Sequence, residues 1–142
     1  MKKLLLLVLF IPLFSFGQTF DFSFSDGPNF ELAEFRFWKP KSNVNYNGVL
    51  VLVPGLDRDG REAVLDTVWQ KFATKHNFII LACYFKNYQN RSGNSAYYDA
   101  SKGSGDILLK SIKKYSEVIS NKDINDLPLL FYGFSAGGQF NY

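Results

Sequence analysis

Only one cysteine, one histidine and one methionine occur in the 142 residues. A lone Cys83 excludes an internal disulfide, and its place in the apolar run Phe78 to Phe85 marks it as a small buried hydrophobe. Charge of one sign is scarce too. Sixteen basic and 13 acidic residues leave a net +3, and the lysines are scattered rather than striped, so the electrostatic footprint of a nucleic-acid partner is missing. Lys110, Lys113 and Lys114 fit the wet face of one helix. No repeat or low-complexity tract follows the first eighteen residues. Gly103-Ser104-Gly105 lacks the Lys-Ser/Thr of a phosphate-binding loop. Asp57-Arg58-Asp59-Gly60 opens like a calcium loop but lacks the remaining ligands, which leaves an exposed acidic turn. Neither a cofactor nor a metal is expected. Asn90-Arg91-Ser92 fits a glycosylation acceptor, a pattern too short to carry weight.

What is present starts with a leader. Lys2 and Lys3 precede the apolar run Leu4 to Phe14, and Ser15 and Gly17 put small residues where a signal peptidase inspects them. The run is shorter than the ~20 residues that span a bilayer, so a cleaved signal ending at Gly17 is expected rather than a permanent membrane anchor. A secreted or periplasmic protein follows from it.

After the leader, Phe20, Phe22 and Phe24 alternate with polar residues, as in a half-buried strand. Asp26-Gly27-Pro28-Asn29 is turn chemistry. A second alternating run carries Phe30, Leu32, Phe35 and Phe37 and ends at Lys39-Pro40, so the two runs predict an antiparallel hairpin. Gly48 to Val53 then reads as a continuous apolar run, the mark of a strand covered on both faces. Val64, Leu65, Val68, Trp69 and Phe72 recur at helical spacing, and Asn77 closes that helix. Phe78 to Phe85 is a further apolar strand. Ile107, Leu108, Ile112, Tyr115 and Ile119 mark a second helix with Ser104 as its N-cap. Leu129 to Tyr132 is a last short strand. Hairpin, then βαβαβ, then the start of a helix calls for an α/β class with a mostly parallel sheet and right-handed crossovers.

Gly133-Phe134-Ser135-Ala136-Gly137 follows that last strand directly. It matches Gly-x-Ser-x-Gly, in which a strand turns so sharply into a helix that the flanking positions must be tiny and the serine stands clear of the sheet. Ser135 is therefore the candidate nucleophile. Acyl chemistry at such a serine also needs N–H donors for the developing oxyanion. The candidates are the backbone N–H of Ala136 and, from the loop Val53-Pro54-Gly55-Leu56, that of Leu56. His76 falls at the end of the first crossover helix, at the opposite rim from Ser135. Asp99, Asp106, Asp123 and Asp126 all precede the serine and have no claim to orient a base. Tyr88, Tyr97 and Tyr98, in the loop from Lys86 to Lys102, are either the rim of a pocket for aromatic or sugar-linked esters or ordinary loop tyrosines.

These strands, crossover helices and the Gly133 to Gly138 bend resemble the α/β-hydrolase superfamily, and within it secreted bacterial esterases of the polyhydroxybutyrate-depolymerase and feruloyl-esterase kind. Pro54 stands where many such relatives have histidine. The resemblance implies a catalytic acid and histidine after strands seven and eight, beyond Tyr142. It divides the chain into a signal over 1–17 and the N-terminal portion of one hydrolase domain over 18–142. The implied activity is carboxylic-ester hydrolysis through an acyl-enzyme on Ser135, with a small-molecule or polymer-linked ester as substrate. A serine peptidase of the prolyl-oligopeptidase type and a non-catalytic hydrolase-fold module are the alternatives. The 142 residues alone are expected to be inactive and poorly soluble, with the last strand left as a bare edge.

Overall fold

The computed structural model describes residues 17–41, 45–89 and 96–142. Residues 1–16 of the expected leader and the Asn90-Arg91-Ser92 triplet lie outside them.

Five strands form one mixed sheet in the order β1-β2-β4-β3-β5. Strands β1 (Gln18–Ser25) and β2 (Leu32–Lys39) are the antiparallel hairpin, and β2 continues antiparallel onto β4 (Phe78–Lys86). Strand β3 (Gly48–Val53) lies parallel to β4 on one side and to β5 (Leu129–Gly133) on the other. Each expected strand is present, within two residues of its predicted limits.

Both faces of the central strands are covered, which is why β3 and the stretch 78–83 of β4 are apolar throughout. On one face, Phe35, Phe37, Val49, Val51, Leu81 and Phe85 pack against Leu108, Ile112 and Tyr115 of helix α2 (Ser104–Val118). Tyr115 stacks on Phe37 with ring centroids 4.3 Å apart, and Phe20 meets Tyr115 edge-on at 5.3 Å. On the other face, Trp38, Leu50, Leu52, Ile80 and Ala82 pack against helix α1 (Thr67–His76) and Val64. Beyond Trp38, the hairpin's second face is largely charged. There Arg36 pairs with Asp21 and Glu62, and Arg61 pairs with Asp59 and Glu34.

Two helix expectations need correction. The run from Val64 to Phe72 is not one helix: Arg61–Leu65 is a 3₁₀ turn, and α1 begins only at Thr67. Asp66 sits between them in extended conformation and accepts a hydrogen bond from the Val68 N–H at 2.7 Å, so a capping carboxylate overrides the spacing. Val68, counted as apolar-face, is consequently 68% exposed, while Trp69 and Phe72 keep the sheet contact. At the far end Asn77 adopts φ 57° and closes α1 as expected, with its N–H on the Ala73 carbonyl. Ser104 is not the cap of α2 but its first residue, after Gly103 at φ 123°. Its hydroxyl is buried and donates inward to the Tyr97 carbonyl at 2.5 Å.

Candidate functional site at the strand-to-helix bend

Strand β5 ends at Gly133, and a short helix α3 (Ala136–Phe140) starts three residues later. Between them Ser135 takes φ 55° and ψ −120°. A non-glycine residue in this region stores on the order of 1–3 kcal/mol and persists only where its surroundings over-determine it. Here two close approaches do so. A Cβ on Gly133 would collide with the Gly137 carbonyl group, and a Cβ on Gly137 would collide with the carbonyls of Val53 and Pro54. Strand β5, helix α3 and the end of β3 therefore meet main chain to main chain. Only hydrogen at those two positions permits it, the steric reason that the sequence predicts. Phe140 anchors the far end of α3 in the α2-side core.

Ser135 is exposed at the C-terminal rim of the parallel strands. The Pro54–Leu56 segment lies beside it: a Cβ on Gly55 would come within 3.7 Å of the Ser135 Cβ and 3.5 Å of the Phe134 carbonyl oxygen. The Gly55 carbonyl accepts a hydrogen bond from the Arg58 N–H at 3.2 Å, closing a turn in which Leu56 is exposed and Asp57 takes φ 56°. Ala136 is the first residue of α3, where an N–H has no intrahelical acceptor. Thus Ser135, Ala136 and the Leu56 loop share one rim. His76 does not share it. Its helix leads into β4 at Phe78, which is level with Gly48 at the N-terminal ends of the parallel strands. Its ring rests on Phe72 instead, with centroids 4.7 Å apart.

Two hollows flank the bend. An apolar one of about 170 Å³ lies on the α1 side between Leu52, Pro54, Trp69, Tyr132 and Phe134. A more polar one of about 450 Å³ lies between Tyr98, Asp99, Ser101 and Gln139, Phe140 of α3. Among the described residues, no group of three or more His, Cys, Asp or Glu side chains is placed to hold a metal ion. No described helix is long and apolar enough to cross a membrane.

The loop tyrosines divide. Tyr98 borders the polar hollow, and Tyr88 donates to the Gly27 carbonyl at 3.1 Å. Tyr97 is no rim residue: it is 1% exposed, and its hydroxyl donates to the Pro54 carbonyl at 2.8 Å. Burial raises its phenol to about 12. Nothing in the sequence singles Tyr97 out from its neighbour, because its partner lies 43 residues away. Cys83 is fully buried, its thiol pushed up by desolvation and donating to the Leu52 carbonyl at 3.3 Å.

No protein-family model matches the chain, and no curated protein matches it. Solved structures do. The chain is similar to the poly(3-hydroxybutyrate) depolymerase LpqC from Bordetella parapertussis at 16% identity and TM-score 0.57, over 87% of this chain and 45% of that one. An acetyl xylan esterase from Aspergillus awamori matches at 14% identity and TM-score 0.55, over 84% of this chain and 44% of that one. S-formylglutathione hydrolase (FrmB) from Staphylococcus aureus matches at 18% identity and TM-score 0.51, over 86% and 49% respectively. The chain spans less than half the length of each. With its hairpin, its parallel β4-β3-β5 core and its helices on both faces, the chain has a partial α/β-hydrolase-like fold.

Proposed function

We propose that this chain carries the nucleophile of a secreted serine hydrolase that cleaves carboxylic esters. The observation that carries the reading is Ser135: exposed, held at positive φ between a strand and a helix, and flanked by a second loop. In the proposed reaction the Ser135 Oγ attacks the acyl carbon and its proton passes to a base. Charge gathers on the carbonyl oxygen, where the N–H groups of Ala136 and Leu56 receive it. Collapse releases the alcohol and leaves an acyl-enzyme, which water then hydrolyses. The lone histidine lies at the wrong rim, so the base and its orienting carboxylate are assigned to residues outside these 142. Ester chemistry is favoured because the depolymerase and the acetyl xylan esterase matched above are named for esters, and export is the reading of the leader over 1–17.

The test uses protein expressed from its whole reading frame, with p-nitrophenyl acetate and an alanine p-nitroanilide as substrates. Ester turnover that falls about a thousandfold or more in Ser135→Ala is expected, since a nucleophile's loss removes the whole covalent path. Full turnover in that variant, or none in the parent, rejects the proposal. Anilide cleavage above ester cleavage moves it to a peptidase. Sequencing the exported protein should give Gln18 as its first residue.

A further inference from the structure

We propose that Tyr97 is a positioning residue which presets the Pro54–Leu56 loop beside Ser135. The inference rests on the hydrolase reading and adds to it a residue far from the bend in sequence.

Tyr97 is fixed on every side. Its ring stacks on Phe85 with centroids 5.0 Å apart and planes 6° from parallel, and Phe140 of α3 lies 6.4 Å away. Its N–H donates to the Asn87 Oδ1 at 2.9 Å, and its carbonyl accepts from the Ser104 hydroxyl. That hydroxyl accepts in turn from the Asn29 Nδ2 at 3.1 Å. Asn29 is buried in the turn between β1 and β2, and its Nδ2 also donates to the carbonyls of Ala96 and Asp99. The hairpin turn thus fastens the segment that carries Tyr97.

The hydroxyl reaches across to the loop. A phenylalanine would fill the same space against Phe85, so packing does not require that oxygen. What it does is hold the Pro54 carbonyl. A peptide unit is rigid and planar, so fixing its C=O fixes its N–H in the opposite sense. The Tyr97 hydroxyl sets the Pro54–Gly55 plane, and the Arg58 N–H on the Gly55 carbonyl sets the Gly55–Leu56 plane. Two successive planes are pinned around a glycine, the residue freest to swing. The same Pro54 carbonyl abuts Gly137, so one oxygen registers the loop against α3. Burial raises the phenol's pKa, so it remains protonated and a donor at neutral pH.

The experiment compares Tyr97→Phe with the parent, both expressed from the whole reading frame, by hydrogen exchange and by ester kinetics. Exchange over 53–60, which contains the Arg58 N–H, is expected to speed up about tenfold, while 48–52 and 78–86 are unchanged. The kcat for p-nitrophenyl acetate should fall about tenfold to a hundredfold with KM within about twofold, as for a misplaced catalytic group. Unchanged exchange over 53–60 overturns the proposal, as does faster exchange with unaltered kcat. Faster exchange through the whole sheet together with a lower Tm overturns it as well, making Tyr97 an ordinary core residue. A parent as inactive as Ser135→Ala rejects the hydrolase reading instead, and exchange over 53–60 still decides whether Tyr97 holds the loop.

Discussion

Strands β3 and β5 are neighbours, parallel, and equally apolar in sequence, yet every residue of β3 is buried and none of β5 is. Leu50 and Leu130 make the contrast sharpest. They are register partners of one residue type, and they are 2% and 44% exposed. Strand β3 has β4 on its other side and helices over both faces, whereas β5 is the sheet's edge, touched by Trp69 on one face and Phe140 on the other. Hydrophobic stabilisation depends on water removed and not on side-chain type, so identical leucines contribute unequally. The strand that leads into the Ser135 bend is the less covered of the two.

The largest test of that contrast is a paired truncation. Leu50→Ala should cost about 2–5 kcal/mol and Leu130→Ala under about 1 kcal/mol, read from urea midpoints. Equal losses would mean that β5 is covered in the folded protein. The joint between the strands comes next. Gly137→Ala drives a methyl into the main chain at the end of β3 and should cost about 1–3 kcal/mol. Gly138→Ala, whose Cβ would meet nothing nearer than 3.5 Å, should stay within about 0.5 kcal/mol. Similar costs at both positions would show that β3 and α3 do not meet main chain to main chain. A third test needs no folding energy. An apolar edge templates association, so Leu130→Lys should raise the soluble fraction of the 142-residue chain when expressed by itself. Unchanged light scattering would place the association elsewhere.

The smallest effect belongs to the hairpin end, where ion pairs replace one layer of packing. The Arg61 guanidinium hydrogen-bonds to Asp59 and holds its carboxyl below the usual range. A depressed carboxyl stabilises the fold fully above its unfolded value of ~3.9 and loses that contribution as pH falls through the folded value. The Asp59 side chain is 43% exposed, so solvent leaves only a few tenths of a kcal/mol. Asp59→Asn should shrink the difference in unfolding free energy between about pH 5 and pH 3, read from urea titrations, by that amount; a widened difference would reverse the sign.

The elements that could be read from the residues are those whose cause is local. Alternating phenylalanines gave β1, an unbroken apolar run gave β3, and small residues around Ser135 gave the bend. Where reading failed, a competing group decided. The Asp66 carboxylate split a helix that apolar spacing would have continued, and the Ser104 hydroxyl turned inward to a carbonyl instead of capping. Tyr97 was legible as a loop tyrosine and illegible as the partner of Pro54.

By itself, then, the sequence determined the succession of strands and helices along the chain, the tight bend around Ser135 and the place of His76 at the end of the first crossover helix, because periodicity and steric exclusion act over a few residues. Tertiary structure alone decided which apolar strand is dry, where the Gly55 loop lies against Ser135, and what Tyr97 holds. Those outcomes depend on contacts between segments tens of residues apart, which no local pattern encodes.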